Sequence, residues 1–309
     1  MRGHPPEKRE RRERKGKEES AVAGLSSSPE APAEVGFLGA GRIAEALIAG
    51  LVASGVAGES ILVANRARAE RLEELARRFG VRPVRNTSHL ARAPLVVLAV
   101  KPKDVPEALA PLRELLGPAH VLVSLAAGVP LAALARLVPG AAIARAMPNT
   151  AAQVRASATG IAFPAGTPAS VRKRVLELFV RVGSAVEVEE RAMDAVTALA
   201  GSGPAFLYAA LEAMIREAEK VLAPEDAVRL GRQMFAGAAR LWEVDPAPLA
   251  EHIRRIASPG GTTERGLAVL QETGALSAFG RAVAAAAERA AEISQDVARS
   301  LGEETQSPP

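Results

Sequence analysis

Five short apolar runs, each bounded by polar or glycine-rich residues, limit what this 309-residue chain can become. They are VGFL (35–38), ILVA (61–64), LVVLAV (95–100), VLVSLA (121–126) and AIARAM (142–147). Runs without a polar face suit parallel strands that are covered on both sides. Between them lie stretches of helical periodicity, at about 42–54, 67–79, 104–116 and 130–137. This alternation predicts an α/β chain with a doubly wound sheet. TGIAF (159–163) and AVEV (185–188) are candidates for added edge strands, with a helix over 170–182 between them.

After Glu189 the strand signals stop. MDAVTALA, GPAFLYAALEAMIREAEKVL, PEDAVRLGRQMFAGAARLWEV and ALSAFGRAVAAAAERAAEISQDVARSL all read as helix. Leu207, Leu211, Met214, Ile215 and Ala218 recur at helical spacing. Several of these helices are rich in Ala and apolar nearly all round, so a partner subunit is expected to cover part of them. The absence of Cys excludes disulfides, thiolate metal sites and cysteine nucleophiles. Four scattered histidines (4, 89, 120, 252), none in HxxxH or HxH spacing, give no metal site to expect.

Charge is unevenly placed. Residues 1–20 hold eight Lys and Arg against five Glu, so of the net charge of +4 only +1 remains for the rest. A basic nucleic-acid-binding face is therefore not expected on the folded part. Residues 1–33 read as a disordered charged tail. They lack the apolar stretch of a secretory signal, and their glutamates argue against a transit peptide. With no run of about twenty apolar residues, no membrane span is expected either, and the location expected is cytoplasmic.

Val35-Gly36-Phe37-Leu38-Gly39-Ala40-Gly41-Arg42-Ile43-Ala44 places GxGxxA between a strand and a helix. The glycines allow a tight turn and bring backbone N–H groups to a pyrophosphate, while Ala44 lets helix and strand pack closely. The fold expected is thus of the Rossmann, dinucleotide-binding type. After the second run the residues are Asn65-Arg66-Ala67-Arg68, with no carboxylate to repel a ribose 2′-phosphate and two guanidiniums to bind it. NADPH is the expected cofactor, with NADH possible. Asn65 also suits a helix N-cap. Val100-Lys101-Pro102 and Met147-Pro148-Asn149-Thr150 follow two further strands, where ligands of open α/β sheets sit. Lys101 reads equally well as an ordinary surface lysine.

Two later segments carry polar turns. Ala200-Gly201-Ser202-Gly203-Pro204 reads as a helix start, or as a close approach of that helix to the cofactor. Ser258-Pro259-Gly260-Gly261-Thr262-Thr263 precedes a helix starting near Glu264 and offers backbone N–H groups and hydroxyls to a small anion. It contains no strong base or nucleophile, so it suits holding a carboxylate rather than difficult proton chemistry. A threonine cap would explain one threonine, though not the Gly-Gly pair.

GFLGAGRIAEALIAG, AVKP, RAMPNT, ALAGSGPAF and SPGGTTERGL, in this order over about residues 34–300, resemble the pyrroline-5-carboxylate reductases. The resemblance implies a Rossmann domain (34–189) and an all-helical domain (190–303) that binds substrate and makes a homodimer or higher homo-oligomer. It implies NADPH-dependent reduction of the cyclic imine 1-pyrroline-5-carboxylate to L-proline. Gly39, Gly41, Arg42 and Ile43 would lie at the pyrophosphate, Asn65 and Arg66 near the 2′-phosphate, and Val100, Lys101 and Pro102 along the nicotinamide. Ser258, Gly260, Gly261, Thr262 and Thr263 would bind the substrate, with Thr263 catalytic through its hydroxyl at the imine nitrogen. Arg42, Ala200, Arg155 and Ser157 depart from the family pattern and bear on efficiency and substrate range. The alternatives are a related dehydrogenase of another small imino or hydroxy acid, or an inactive NADPH-binding paralogue. Hydroxyacid dehydrogenases of this build use a helix lysine, and Gly201 to Ala210 contains none.

Overall fold

The computed structural model describes residues 33–66 and 69–302; the expected tail up to residue 32, and Arg68, fall outside them. Among the described residues eight strands form one sheet: β1 (Val35–Leu38), β2 (Ile61–Ala64), β3 (Arg82–Val84), β4 (Leu95–Leu98), β5 (Val121–Ser124), β6 (Ala142–Met147), β7 (Ser157–Ala162) and β8 (Gly183–Glu187). Their order is β3-β2-β1-β4-β5-β6-β7-β8. All neighbours are parallel except β6 and β7. Chain direction across the sheet reverses between β1 and β4, which opens the crevice where such sheets take ligands.

Strand alternation divides the core. Val35, Phe37, Ile61, Val63, Val97 and Val123 face one side and pack with α1 (Arg42–Ala53), α2 (Ala69–Phe79) and α5 (Ala169–Val180). Leu38, Leu62, Val96, Leu98 and Leu122 face the other and meet α3 (Val105–Leu109) and α4 (Leu131–Leu137). The helix expected over 104–116 is instead broken into α3 and short 3₁₀ turns, Pro102–Asp104 before it and Ala110–Leu112 after. Pro106 and Pro111 remove backbone donors there, and a proline ring clashes with the preceding turn. β3 was not expected from the pattern: it is three residues long, contains Pro83, and pairs only with β2.

Beyond β8 the regular elements of the described residues are all helical. α6 (Met193–Val196) runs through a π-helical turn, Thr197–Ser202, into α7 (Gly203–Ala218); then follow α8 (Pro224–Val244), α9 (Leu249–Ile256), α10 (Thr262–Glu272) and α11 (Ala275–Ser300). α9 is an element that the periodicity did not suggest. The stretch 190–218 is long and apolar enough, by length and composition alone, to cross a membrane. That corrects the expectation that no such run occurs. Alanine, nine of its 29 residues, supplies much of its apolar character. Along α7 to α10 many large apolar side chains stand open, among them Leu207, Tyr208, Met214, Leu230, Trp242 and Ile253. α11 returns to the sheet domain, where a Cβ on Gly128 would come within 2.9 Å of Ser294 Cα. Ser294 Oγ donates to Asp194 Oδ1 at 2.9 Å, fastening α11 to α6.

α1 also holds the turn after β6. Gly50 is buried against the Thr150–Val154 turn, where an added Cβ would collide with the Ala152 carbonyl and lie 2.9 Å from Val182 Cγ1. In a helix interior Gly→Ala ordinarily stabilises by roughly 0.5–1 kcal/mol. Here the sign reverses. Gly50→Ala should destabilise by about 1–3 kcal/mol, the range for overpacking, read as a lowered melting temperature.

Candidate active site

The crevice is built by three strand ends. Gly39 N donates to Ala64 O at 2.8 Å, and Ala99 N donates to Leu38 O at 2.8 Å. Gly39 has φ +114°, and a Cβ there would strike the Ala99 carbonyl. No other residue type fits both demands. Gly41 is different. Its φ of −75° suits any residue, and a Cβ would meet nothing of the chain within 4 Å. Gly41 is the N-cap of α1 and supplies no side-chain cap, so the first N–H groups of the helix face open space. A space of this kind, a cradle at a helix N-terminus, suits a pyrophosphate, and the residues present fit a dinucleotide.

The structure brings Gly39, Gly41, Asn65, Val100, Lys101 and Pro102 to this end of the sheet. Arg42 and Lys101 are exposed, Ile43, Asn65, Val100 and Pro102 half-buried. Arg66 is exposed and ion-paired with Glu107. α2 begins at Ala69, four residues beyond Asn65. Among the described residues no group of three or more Asp, Glu and His could hold a metal.

The MPNT and GSGPA segments meet. Asn149 Oδ1 accepts from Ala151 N at 3.0 Å, and Asn149 Nδ2 donates to Ala200 O at 2.9 Å. Asn149 N donates to Ser157 Oγ at 3.1 Å. The amide thus ties the end of β6 to the π turn, and the bond to residue 200 is through its backbone, which Ala supplies as well as Ser. Arg155 holds φ +59°, which costs a non-glycine residue about 1–2 kcal/mol. The GSGPA helix start expected from Gly203-Pro204 is part of a continuous helix, interrupted by the π turn. Such turns are frequent at functional sites.

In the SPGGTT segment, Pro259 and Gly260 form a β-turn. Gly260 has φ +70°, and Gly261 N donates to Ser258 O at 3.0 Å. Gly260 N donates to Glu264 Oε2 at 2.7 Å. These two N–H groups, expected to be open to an anion, are therefore engaged inside the loop. Gly261 is the N-cap of α10, again without a side-chain cap, and the helix starts at Thr262 rather than near Glu264. Neither threonine caps it. The open donors are the N–H groups of Thr262, Thr263 and Glu264, with the two hydroxyls beside them. The preceding corner is pinned as well: hydrogen bonds from Arg255 and from Ala247 N hold the Asp245 carboxyl below its usual pKa. Among the described residues, no hydrogen bond or ion pair links residues 258–263 of one copy to its own glycine loop. α10 packs on α11 instead.

A glycine loop at the switch point of a Rossmann sheet, followed by a helical arm, defines a dinucleotide-dependent oxidoreductase. The family model described as "NADP oxidoreductase coenzyme F420-dependent" matches residues 34–128, and that described as "Pyrroline-5-carboxylate reductase dimerisation" matches residues 190–293. Pyrroline-5-carboxylate reductase 2 of Bacillus subtilis (strain 168) is 39% identical over 272 residues, covering 86% of this chain and 96% of that protein. A solved pyrroline-5-carboxylate reductase from Coxiella burnetii is 31% identical with a TM-score of 0.79, covering 85% of this chain and 98% of that one. A pyrroline carboxylate reductase of Plasmodium falciparum, solved with NADP bound, is 24% identical and shares the fold, with a TM-score of 0.75 over 85% of this chain and 98% of that one. The chain belongs to the pyrroline-5-carboxylate reductase family.

Because a side chain at Gly41 is tolerated by the fold but not by an occupant of the cradle, Gly41→Val should leave the unfolding free energy within about 0.5 kcal/mol of the parent, as for a neutral surface change, and the melting temperature nearly unchanged. Its dissociation constant for NADPH should rise by roughly 100-fold or more, by loss of close backbone approach. Calorimetric titration and thermal melting on the same preparation check both.

Proposed function

We propose that Ser258, Gly260, Gly261, Thr262 and Thr263 seat a cyclic imine carboxylate, so that this chain reduces 1-pyrroline-5-carboxylate to L-proline, the last step of proline biosynthesis. The observation that carries the reading is the uncapped start of α10, where two threonine hydroxyls stand beside open N–H groups and the one nearby carboxylate, Glu264, is engaged by Gly260 N. A protonated cyclic imine already accepts hydride well. Such a substrate asks for positioning more than for acid–base work.

The reductant is NADPH, which when bound supplies a hydride to the imine carbon. Gly39, Gly41, Arg42 and Ile43 hold its pyrophosphate, and Asn65 and Arg66 approach the 2′-phosphate. Val100, Lys101 and Pro102 border the nicotinamide. Arg66 must exchange Glu107 for the phosphate, and an ion pair with the arginine 71% exposed is weak enough to allow it. The N–H groups of Thr262 and Thr263 hold the substrate carboxylate, while the Gly260 turn and its bond to Glu264 keep the loop in shape. Thr263 Oγ1 accepts a hydrogen bond from the protonated imine nitrogen and fixes the ring against the hydride donor.

A cytoplasmic homodimer is the form proposed. The open apolar faces of α7 to α10 call for a second copy, and the membrane-length stretch 190–218 faces that copy rather than lipid. The substrate loop of one protomer then completes the cofactor crevice of its partner, consistent with the absence, among the described residues, of a hydrogen bond or ion pair to its own. On this reading the chain comprises a nucleotide domain over 34–189 and a substrate and dimerisation domain over 190–303.

Loss of NADPH absorbance on addition of pyrroline-5-carboxylate tests the activity; no turnover would end the reading. Thr263→Ala should lower kcat by roughly 100-fold, about the penalty for misplacing a bound reactant, with NADPH affinity retained, and Thr263→Ser should recover most of it. Full turnover in the Ala variant would remove the hydroxyl from the mechanism. Arg66→Ala should weaken NADPH by about 1–3 kcal/mol, the range for a lost charge-assisted contact, and leave NADH nearly unchanged. Equal losses for both would reduce Arg66 to scaffold.

A further inference from the structure

One ion-pair network lies against the glycine loop and is not used by the mechanism above. Arg71, on α2 and 19% exposed, donates from Nε to the Ala40 carbonyl at 3.2 Å. The same guanidinium pairs with Glu45 Oε2 and, at 2.6 Å, with Glu74 Oε2. Arg78 reaches the other Glu45 oxygen at 2.5 Å and Glu74 Oε1 at 3.0 Å. Glu45 stands in the first turn of α1, the helix whose N-terminus forms the cradle.

Two physical consequences follow. In a trans peptide the C=O and the next N–H point in opposite directions. Pinning the Ala40 carbonyl towards α2 therefore turns the Gly41 N–H away from α2. The second consequence concerns charge. A carboxylate in the first turn competes with any anion for the positive end of the helix. Glu45 has each oxygen engaged by a guanidinium from α2, which withdraws its charge from the cradle. Burial pushes the Glu45 carboxyl up, but the hydrogen bonds from Arg71 and Arg78 outweigh it and keep the group below its usual pKa, hence charged.

We propose that Arg71 is a positioning residue for the cofactor: it sets the peptide of the glycine loop and neutralises Glu45, so that the start of α1 accepts a diphosphate. This rests on the cradle being the cofactor's seat. Because the diphosphate is common to both nicotinamide cofactors, Arg71 serves NADPH and NADH alike, unlike Arg66.

The test is direct binding of NADPH and NADH to the unliganded protein, read by the fluorescence of the reduced nicotinamide, together with steady-state kinetics and thermal melting. For Arg71→Ala, both dissociation constants should rise by a similar factor of roughly tenfold, the size of a charge-assisted contact. kcat at saturating cofactor should be retained. Arg71→Ala combined with Glu45→Gln should recover part of the affinity, since the carboxylate oxygen that Arg71 no longer engages is then gone while the Ala40 carbonyl stays unpinned. Unchanged affinity in Arg71→Ala with only a lower melting temperature would overturn the proposal, as would a loss confined to NADPH. Failure of Glu45→Gln to rescue would overturn the electrostatic part. Gly41→Val, run alongside, separates the two levels: normal affinity in that variant would remove the cradle itself, whatever Arg71 does.

Discussion

Two backbone hydrogen bonds, Gly39 N to Ala64 O and Ala99 N to Leu38 O, hold the turn after β1 between its neighbours on either side. They continue the ladders of the sheet one step past its strands. The polypeptide must then leave the sheet at a point where the Ala99 carbonyl occupies the position of a side chain. Glycine at 39 satisfies that geometry, and the helix that follows starts with its donors uncovered. Each later feature of the nucleotide end is an elaboration on this fixed turn: α2 fastens it from one side through Arg71, and β4 borders it from the other.

The two ends of the candidate site solve the same problem with different means. Both present the start of a helix whose N-cap is glycine and whose first donors lack a side-chain partner. At α1 the nearby acidic side chain is drawn off by arginines from another helix. At α10 the acidic side chain, Glu264, folds back on Gly260 and is satisfied within five residues. The first arrangement depends on tertiary packing; the second is local, and so can be carried on an arm that leaves the domain.

Much of this was legible from residue order. The runs VGFL, ILVA, VLVS and AIARAM became strands because a buried parallel strand has no polar face to disguise it. β3 escaped notice because RPV has neither the length nor the composition of a strand, and only the exposed edge beside β2 admits it. The break at 102–112 was written in Pro106 and Pro111 and masked by the periodicity around them. At the SPGGTT loop, glycines and hydroxyls announced a polar turn, yet which N–H groups stay open was decided by Glu264. Glutamate three residues after an N-cap commonly reaches back to the backbone, so that signal was present. The Arg71 network had none: Glu45 and Arg71 lie twenty-six residues apart, and only the packing of α1 on α2 joins them.

The π turn at Thr197–Ser202 sets a phase. Each residue of an α-helix advances the chain by about 100° around its axis. A wider turn admits an extra residue without breaking the helix. Everything from Gly203 onward, the arm with its threonine loop included, is therefore rotated relative to what an uninterrupted α6–α7 helix would give. Asn149, by gripping the Ala200 carbonyl, fixes the place where that rotation is taken up. The direction in which the arm leaves the sheet domain is thus encoded in a residue count, and a single-residue insertion or deletion there would re-aim the arm while leaving every side chain of the site intact.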